Sequence, residues 1–174
     1  YQMMERVEEI YRAEYAGRET ECLCQSPSMR EDEREQFLEA FREGREKTLV
    51  GFCVMGGIFA EGIDLTGEKL IGAAVVGTGL PMVSGERELL RGFYDEKGEN
   101  GFDYAYRFPG MNKVLQSAGR VIRTTRDRGV ILLLDDRFCS REYRGLFPRE
   151  WADAEVCTLE SLAPRLEEFW KEGH

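Results

Sequence analysis

The chain has 174 residues, 42% of them hydrophobic, which suits one globular domain with a substantial core and excludes a disordered chain. No apolar run approaches the roughly 20 residues that span a bilayer. The start, Tyr1-Gln-Met-Met-Glu-Arg6, lacks the apolar segment of a secretion signal, so the expected location is cytoplasmic with no membrane partner. A net charge of −9 argues against a basic module that coats DNA through its overall field; the last residue, His174, is expected to have no role, and with no other histidine neither histidine triads nor histidine metal sites are expected.

In chain order, residues 3–16 predict an amphipathic helix, with Met3, Met4, Val7, Ile10 and Tyr11 at helical spacing. Residues 22–25 predict a short strand closed by Ser26-Pro27. Residues 30–45 predict a helix with Phe37, Leu38 and Phe41 on one face. Its charged run, Arg30-Glu-Asp-Glu-Arg-Glu35, reads as a solvated face laced with local ion pairs. Residues 48–54 predict a strand ended by Gly56-Gly57, and residues 70–76 a second strand, apolar on both faces as in the middle of a parallel sheet. A helix over 85–97, a loop at 98–101, a helix over 111–123, a buried strand over 130–134 and a closing helix over 158–171 complete the chain. The closing helix is expected to turn Leu159, Leu162, Leu166 and Phe169 inward, and the most mobile stretch is expected at 95–103. Strands alternating with helices predict an α/β fold with an open, mainly parallel sheet and helices on both faces, in one domain over residues 1–174. The chain opens in a helix, whereas such domains usually open in a strand.

Three groups of residues carry chemistry. Gln116-Ser-Ala-Gly119-Arg120-Val-Ile-Arg123 places an amide and two guanidinium groups within about two helical turns, and residues three apart share a helix face. Paired guanidinium groups make planar, charge-assisted hydrogen bonds that suit a triphosphate, the chemistry of an arginine finger. The competing reading is a helix whose arginines pair with some of the 33 acidic residues. The second group is Gly56-Gly-Ile-Phe-Ala-Glu61-Gly62-Ile-Asp64-Leu-Thr-Gly67, beyond the carboxyl end of a predicted strand, where open α/β sheets bind ligands. Its glycines allow close backbone approach to a phosphate or sugar, and Glu61 and Asp64 suit ribose hydroxyls or water; a structural turn capped by the aspartate fits equally. The third is the cysteines. Cys22 and Cys24 share a strand face but no second close pair completes four ligands, so reduced structural thiols are expected and no metal site. A phosphate-binding G-x-x-x-x-G-K-[S/T] loop is absent from the sequence. Asp135-Asp136, the nearest acidic pair after a strand, is followed by Arg137 and reads as a cap or an ion pair.

The 56–67 segment resembles motif V of the DinG/XPD-like DNA helicases of superfamily two, and Gln116–Arg123 is similar to their motif VI. Asp127-Arg-Gly-Val-Ile-Leu-Leu-Leu-Asp-Asp-Arg-Phe138, Gly79-Leu-Pro81 and Tyr106-Arg-Phe-Pro109 are similar to the same family, so the resemblance covers nearly the whole chain. It implies the second, C-terminal RecA-like domain of an ATP-dependent DNA helicase. In that family the first RecA-like domain holds ATP and Mg2+, and both domains clamp the nucleotide. By position, Arg120 and Arg123 would face the phosphates with Gln116 beside them. Gly62 and Asp64 would belong to the loop that couples nucleotide to DNA, and Gly57 and Glu61 to its nucleic-acid side. Single-stranded DNA and the first domain of the same parent chain are the implied partners, with 5′-to-3′ movement and roles of the DNA-repair kind. An iron–sulfur cluster elsewhere in the parent stays open. The first domain is not in this sequence, so the chain is expected to be a fragment without ATPase activity of its own. Two alternatives remain at this point: a degenerate helicase-like module that binds or regulates a partner, and a self-sufficient α/β enzyme using the Glu61/Asp64 loop.

Overall fold

Short apolar runs without helical spacing set four strands, and the glycines and prolines between them set where each stops. In the computed structural model, which describes residues 1–15, 18–57, 65 and 69–171, the chain begins with α1 (Gln2–Tyr15), β1 (Thr20–Cys24), α2 (Glu31–Glu39) and β2 (Thr48–Phe52). It continues with β3 (Gly72–Val76), α3 (Gly85–Glu96), a π-helical stretch (Asp103–Arg107) that runs straight into α4 (Phe108–Ala118), and β4 (Val130–Leu134). Two 3-10 turns (Asp136–Cys139 and Arg149–Trp151) flank the one-turn helix α5 (Arg141–Arg144) before α6 (Leu159–Lys171). β1 pairs in parallel with β2, Cys24 opposite Phe52. β3 pairs in parallel with β4, Val76 opposite Leu134. The α/β class and the parallel pairing are as expected. Among the described residues the strands form two parallel pairs, and no ladder joins β2 to β3.

The backbone divides into two compact units, Tyr1–Asp135 and Asp136–His174. In the first, α4 supplies the most deeply buried side chains, Met111, Val114 and Ala118, with Ala105 and Tyr106 from the π-helical stretch and Val121 just beyond the helix. A second cluster joins Phe37 of α2 and Leu65 to Leu23, Met29, Leu38, Phe41 and Leu70. α3 is tied to the π-helical stretch by polar and ring contacts. Arg87 donates to the Ala105 carbonyl at 2.7 Å, the Tyr106 hydroxyl donates to Glu88 at 2.5 Å, and the Tyr94 and Tyr104 rings stack with centroids 3.8 Å apart. The Glu88 hydrogen bond, then burial, raise the Tyr106 phenol above its ordinary pKa. In the second unit Phe138 packs edge-on against Tyr143 and also meets Phe147.

Several element bounds depart from the sequence reading for physical reasons. α2 stops at Glu39 rather than near residue 45, and Gly44 then turns the chain with φ +68. The charged run at its start does form surface ion pairs, Arg30–Asp32 at 2.9 Å and Arg34–Glu31 at 3.1 Å. On α1 the half-buried face is Met4, Glu8 and Tyr11, while Met3, Val7 and Ile10 are exposed. Leu159 opens α6 and is 94% exposed rather than inward, whereas Leu162, Leu166 and Phe169 are half-buried. The 95–103 stretch is a tight helix connection, with Gly98 at φ +79 and the Gly101 N–H bonded to Asp95 at 2.8 Å.

The approach of α4 to the end of β3 needs glycine on both sides. A Cβ on Gly79 would lie 2.7 Å from the Gly110 carbonyl oxygen, and one on Gly110 would lie 2.6 Å from the Thr78 carbonyl oxygen. Gly77 and Gly79 both have positive φ, but a Cβ on Gly77 would meet nothing within 4 Å. Gly77→Ala is therefore expected to cost about 1 kcal/mol of backbone strain, and Gly79→Ala about 3 kcal/mol because overpacking adds to the same strain. Chemical denaturation of both variants checks this, and equal losses would contradict the backbone contact.

Candidate functional site

The loop over 54–57 and the Gly77–Gly79 turn lie where the chain leaves β2 and β3, the carboxyl ends at which open parallel sheets bind ligands, whereas the turn that carries the arginines lies where the chain enters β3 and β4, with Val121 and Ile71 against Gly129. β2 was expected to run to Val54 but its ladder stops at Phe52. The Gln25 N–H donates to the Phe52 carbonyl at 2.8 Å. The next rung is made by a side chain: the Val54 N–H donates to Gln25 Oε1 at 2.8 Å. Gln25 Nε2 donates in turn to the Tyr1 hydroxyl at 3.3 Å. The Gly57 N–H closes a tight turn on the Val54 carbonyl at 3.2 Å. Gly56 sits at φ +76, and the aliphatic stem of Lys113 from α4 lies 3.0 Å from where its Cβ would be. The loop over residues 54–57 is thus held by the end of β1 on one side and by α4 on the other.

The two arginines do not stand on a helix. α4 ends at Ala118 with Gly119 as its cap, whereas the sequence pattern predicted helix to residue 123. Beyond Gly119 the backbone makes single turns, Arg120 N–H to the Ser117 carbonyl at 3.3 Å and Val121 N–H to the Ala118 carbonyl at 3.0 Å. Gly119 weakens the helix, and the branched residues Val121, Ile122 and Thr124 do not favour its continuation. Val121 is buried instead, and its side chain occupies the space a Cβ on Gly129 would need. Asp127 then organises the following loop: its Oδ2 accepts the N–H groups of Arg123 and Thr124, each at 2.8 Å. Arg120 and Arg123 are both half-buried and Gln116 is exposed on the last turns of α4. Their relation therefore comes from a capped turn and an aspartate clamp, not from helical spacing.

Of the other sequence-identified residues, Gly57 lies in the clamped loop. Glu61, Gly62 and Asp64 lie outside the described residues. Among the described residues no group of three or more His, Cys, Asp or Glu side chains is placed to hold a metal ion. Burial and then the Glu5 carboxylate raise the Cys24 thiol above its ordinary pKa, which keeps it protonated at neutral pH. No helix among the described residues is long and apolar enough to cross a membrane. Gln25, Lys113 and Asp127 escaped the sequence reading. The available signal was positional: Gln25 is a polar residue at the carboxyl end of a strand, and Asp127 follows the second arginine by four residues.

Comparison with known proteins decides the family. The model of the helicase C-terminal domain family matches residues 1–154. The chain belongs to this family. The helicase C-terminal domain here is 29% identical over 143 residues to the ATP-dependent DNA helicase YoaA of Escherichia coli, covering 72% of this chain and 22% of that protein. It is 28% identical over 145 residues to the ATP-dependent DNA helicase DinG of Photobacterium profundum, covering 82% of this chain and 20% of that protein. A solved structure titled XPD helicase has the same fold, with a TM-score of 0.60 at 20% identity over 83% of this chain and 25% of that one. The helicase C-terminal domain thus spans about a fifth of the curated relatives' length, and its α/β fold is RecA-like.

The Asp127 clamp can be tested in this domain directly. Asp127→Ala is expected to cost about 1–2 kcal/mol, the range for a lost cap of two N–H groups, and Asp127→Asn, which keeps an acceptor oxygen, should recover most of it. Urea unfolding of the two variants is the check, and an alanine variant as stable as the parent sequence would contradict the clamp.

Proposed function

We propose that this chain is the second RecA-like motor domain, residues 1–174, of a longer ATP-dependent DNA helicase that moves 5′ to 3′ on single-stranded DNA. Membership of the helicase C-terminal domain family, matched over residues 1–154, carries this reading, and the arginine pair would stand at the motif VI position. ATP is the substrate and would be shared with a first domain of the same parent chain, which would hold the phosphate loop and Mg2+. Arg120 and Arg123 supply fixed positive charge and planar donors, the groups that suit a transferring γ-phosphoryl. Gln116 lies one turn earlier on α4 and would face the same cleft. Gly62 and Asp64 would carry the coupling between nucleotide and DNA, and Gly57 and Glu61 the nucleic-acid side of that loop. DNA would be held largely through its backbone. An iron–sulfur cluster, where the parent has one, would lie outside this chain, and a role in DNA repair is consistent with the relatives' kind.

The half-buried arginines held through a turn support the finger role physically. A guanidinium acts in transition-state stabilisation only when it is preorganised, and the Asp127 clamp fixes the backbone of Arg123. A second reading, a helicase-like binding module without hydrolysis, is favoured by one observation. Met82, Val83 and Leu89 are 88%, 77% and 78% exposed on and before α3, an apolar surface that suits a docked partner. The two readings part at catalysis.

Two outcomes are expected. The purified 174 residues alone hydrolyse ATP no faster than background, since they lack a triphosphate cradle; robust magnesium-dependent turnover would overturn that. In the parent protein Arg123→Ala lowers kcat by about a thousandfold with a smaller change in KM, as for other arginine fingers. An unchanged kcat would remove Arg123 from the role and favour the binding module.

A further inference from the structure

Gln25 is 5% exposed and spends its whole side-chain amide on one place in the fold. A buried carboxamide is costly unless both its ends are bonded. Here Oε1 takes the Val54 N–H at 2.8 Å and Nε2 reaches the Tyr1 hydroxyl at 3.3 Å. In a continuing parallel ladder the Gln25 main-chain carbonyl would take the Val54 N–H. The side chain intercepts that rung, and the ladder of β1 and β2 stops at the Cys24–Phe52 pair. A side-chain rung is longer than a main-chain one, so it lets the two backbones part while still bonding the buried N–H. The gap opens at the carboxyl end of the pair, and the chain leaving it is Val54-Met-Gly-Gly57, the entry to the glycine-rich segment over 56–67. The amide lies beside Gly57: a Cβ there would be 3.5 Å from Gln25 Nε2 and 3.2 Å from the Val54 carbonyl oxygen. From the opposite side the stem of Lys113, on the helix that leads to the arginines, fills the space over Gly56. The loop that enters motif V is therefore gripped between β1 and the motif VI helix.

We propose that Gln25 is a positioning residue for DNA engagement: its carboxamide sets the conformation of residues 54–57, and so of Gly57, which the proposed function assigns to the nucleic-acid side. This rests on the reading of the parent as a DNA-stimulated ATPase. Gln25 touches neither substrate in this account and acts only through the Val54 N–H and the Gly56-Gly57 turn. Two substitutions separate bonding from shape. Gln25→Met keeps the length and removes both hydrogen bonds. Gln25→Glu keeps an acceptor for Val54 and can accept from the Tyr1 hydroxyl.

The test uses the full-length parent with a single-stranded oligonucleotide, measuring ATP turnover against DNA concentration, and amide hydrogen exchange at Val54. Gln25→Met is expected to raise the DNA concentration for half-maximal stimulation about tenfold, in the range of measured coupling effects, and to speed exchange at Val54. Gln25→Glu is expected to stay within about twofold of the unsubstituted protein on both measures. A residue that merely supports folding would lower the maximal rate by reducing the active fraction and leave the half-maximal concentration in place, which would overturn the proposal. Unchanged exchange at Val54 in Gln25→Met would overturn it as well. If the unsubstituted parent shows no stimulation by DNA, the functional reading fails, and the DNA role of Gln25 falls with it. The exchange measurement then still decides whether the side-chain rung holds the loop.

Discussion

The close seating of α4 on the loops that leave β2 and β3 is the constraint from which the rest of the first unit follows. It exists because three positions lack a Cβ. Gly79 and Gly110 bring backbone against backbone, with 2.7 Å between the absent Cβ of one and the carbonyl oxygen of the other. Gly56 accepts the Lys113 stem in a backbone conformation that other residues reach only at a cost. With α4 fixed at its amino-terminal half, Met111, Val114 and Ala118 fill the core, and the chain emerges at Gly119 in a defined place. The arginines then depend on two further restraints, the burial of Val121 against Gly129 and the two N–H groups held by Asp127.

This arrangement gives the proposed coupling between nucleotide and DNA a physical basis within one domain. The loop after β2 and the helix before the arginines are in direct contact through Gly56 and Lys113. The contact is made by the flexible stem of Lys113 over a positive-φ glycine. On the proposed reading, α4 would link the loop on the nucleic-acid side, which meets it at Lys113, to the arginines on the nucleotide side, just beyond its carboxyl end. The net charge of −9 is compatible with the proposed role, since DNA contact through main-chain N–H groups and a few placed side chains would need no basic field.

Much of this was legible in the sequence, and the parts that were not have specific causes. Strand β4 was read with its observed bounds because five apolar residues between Gly129 and Asp135 allow no helical pattern. Helix α3 was read to within a residue because Ser84 caps it and Gly98 ends it. The α/β class followed from the alternation of elements, and the parallel ladders agree with it. Helix α4 was misplaced at both ends. It was read from residue 111, yet it already includes Pro109, because proline donates no N–H and is tolerated where the π-helical turn gives way to α. At the other end the regular spacing of Gln116, Arg120 and Arg123 suggested a helix that burial of Val121 interrupts. Tertiary burial of Val121 added to the weak helix propensity of Gly119 and the branched residues at that point. Gln25 was hidden for a related reason: period-two patterning marks which strand face is buried, but not that a polar side chain will replace a ladder rung.

The most direct measurement is a structure of the parent protein with a non-hydrolysable ATP analogue bound between its two halves. The account requires the guanidinium groups of Arg120 and Arg123 to lie within about 3 Å of γ-phosphate oxygens, ordinary charge-assisted hydrogen-bond distance. Finding the analogue bound in a closed cleft with both groups turned to carboxylates of their own domain would contradict it.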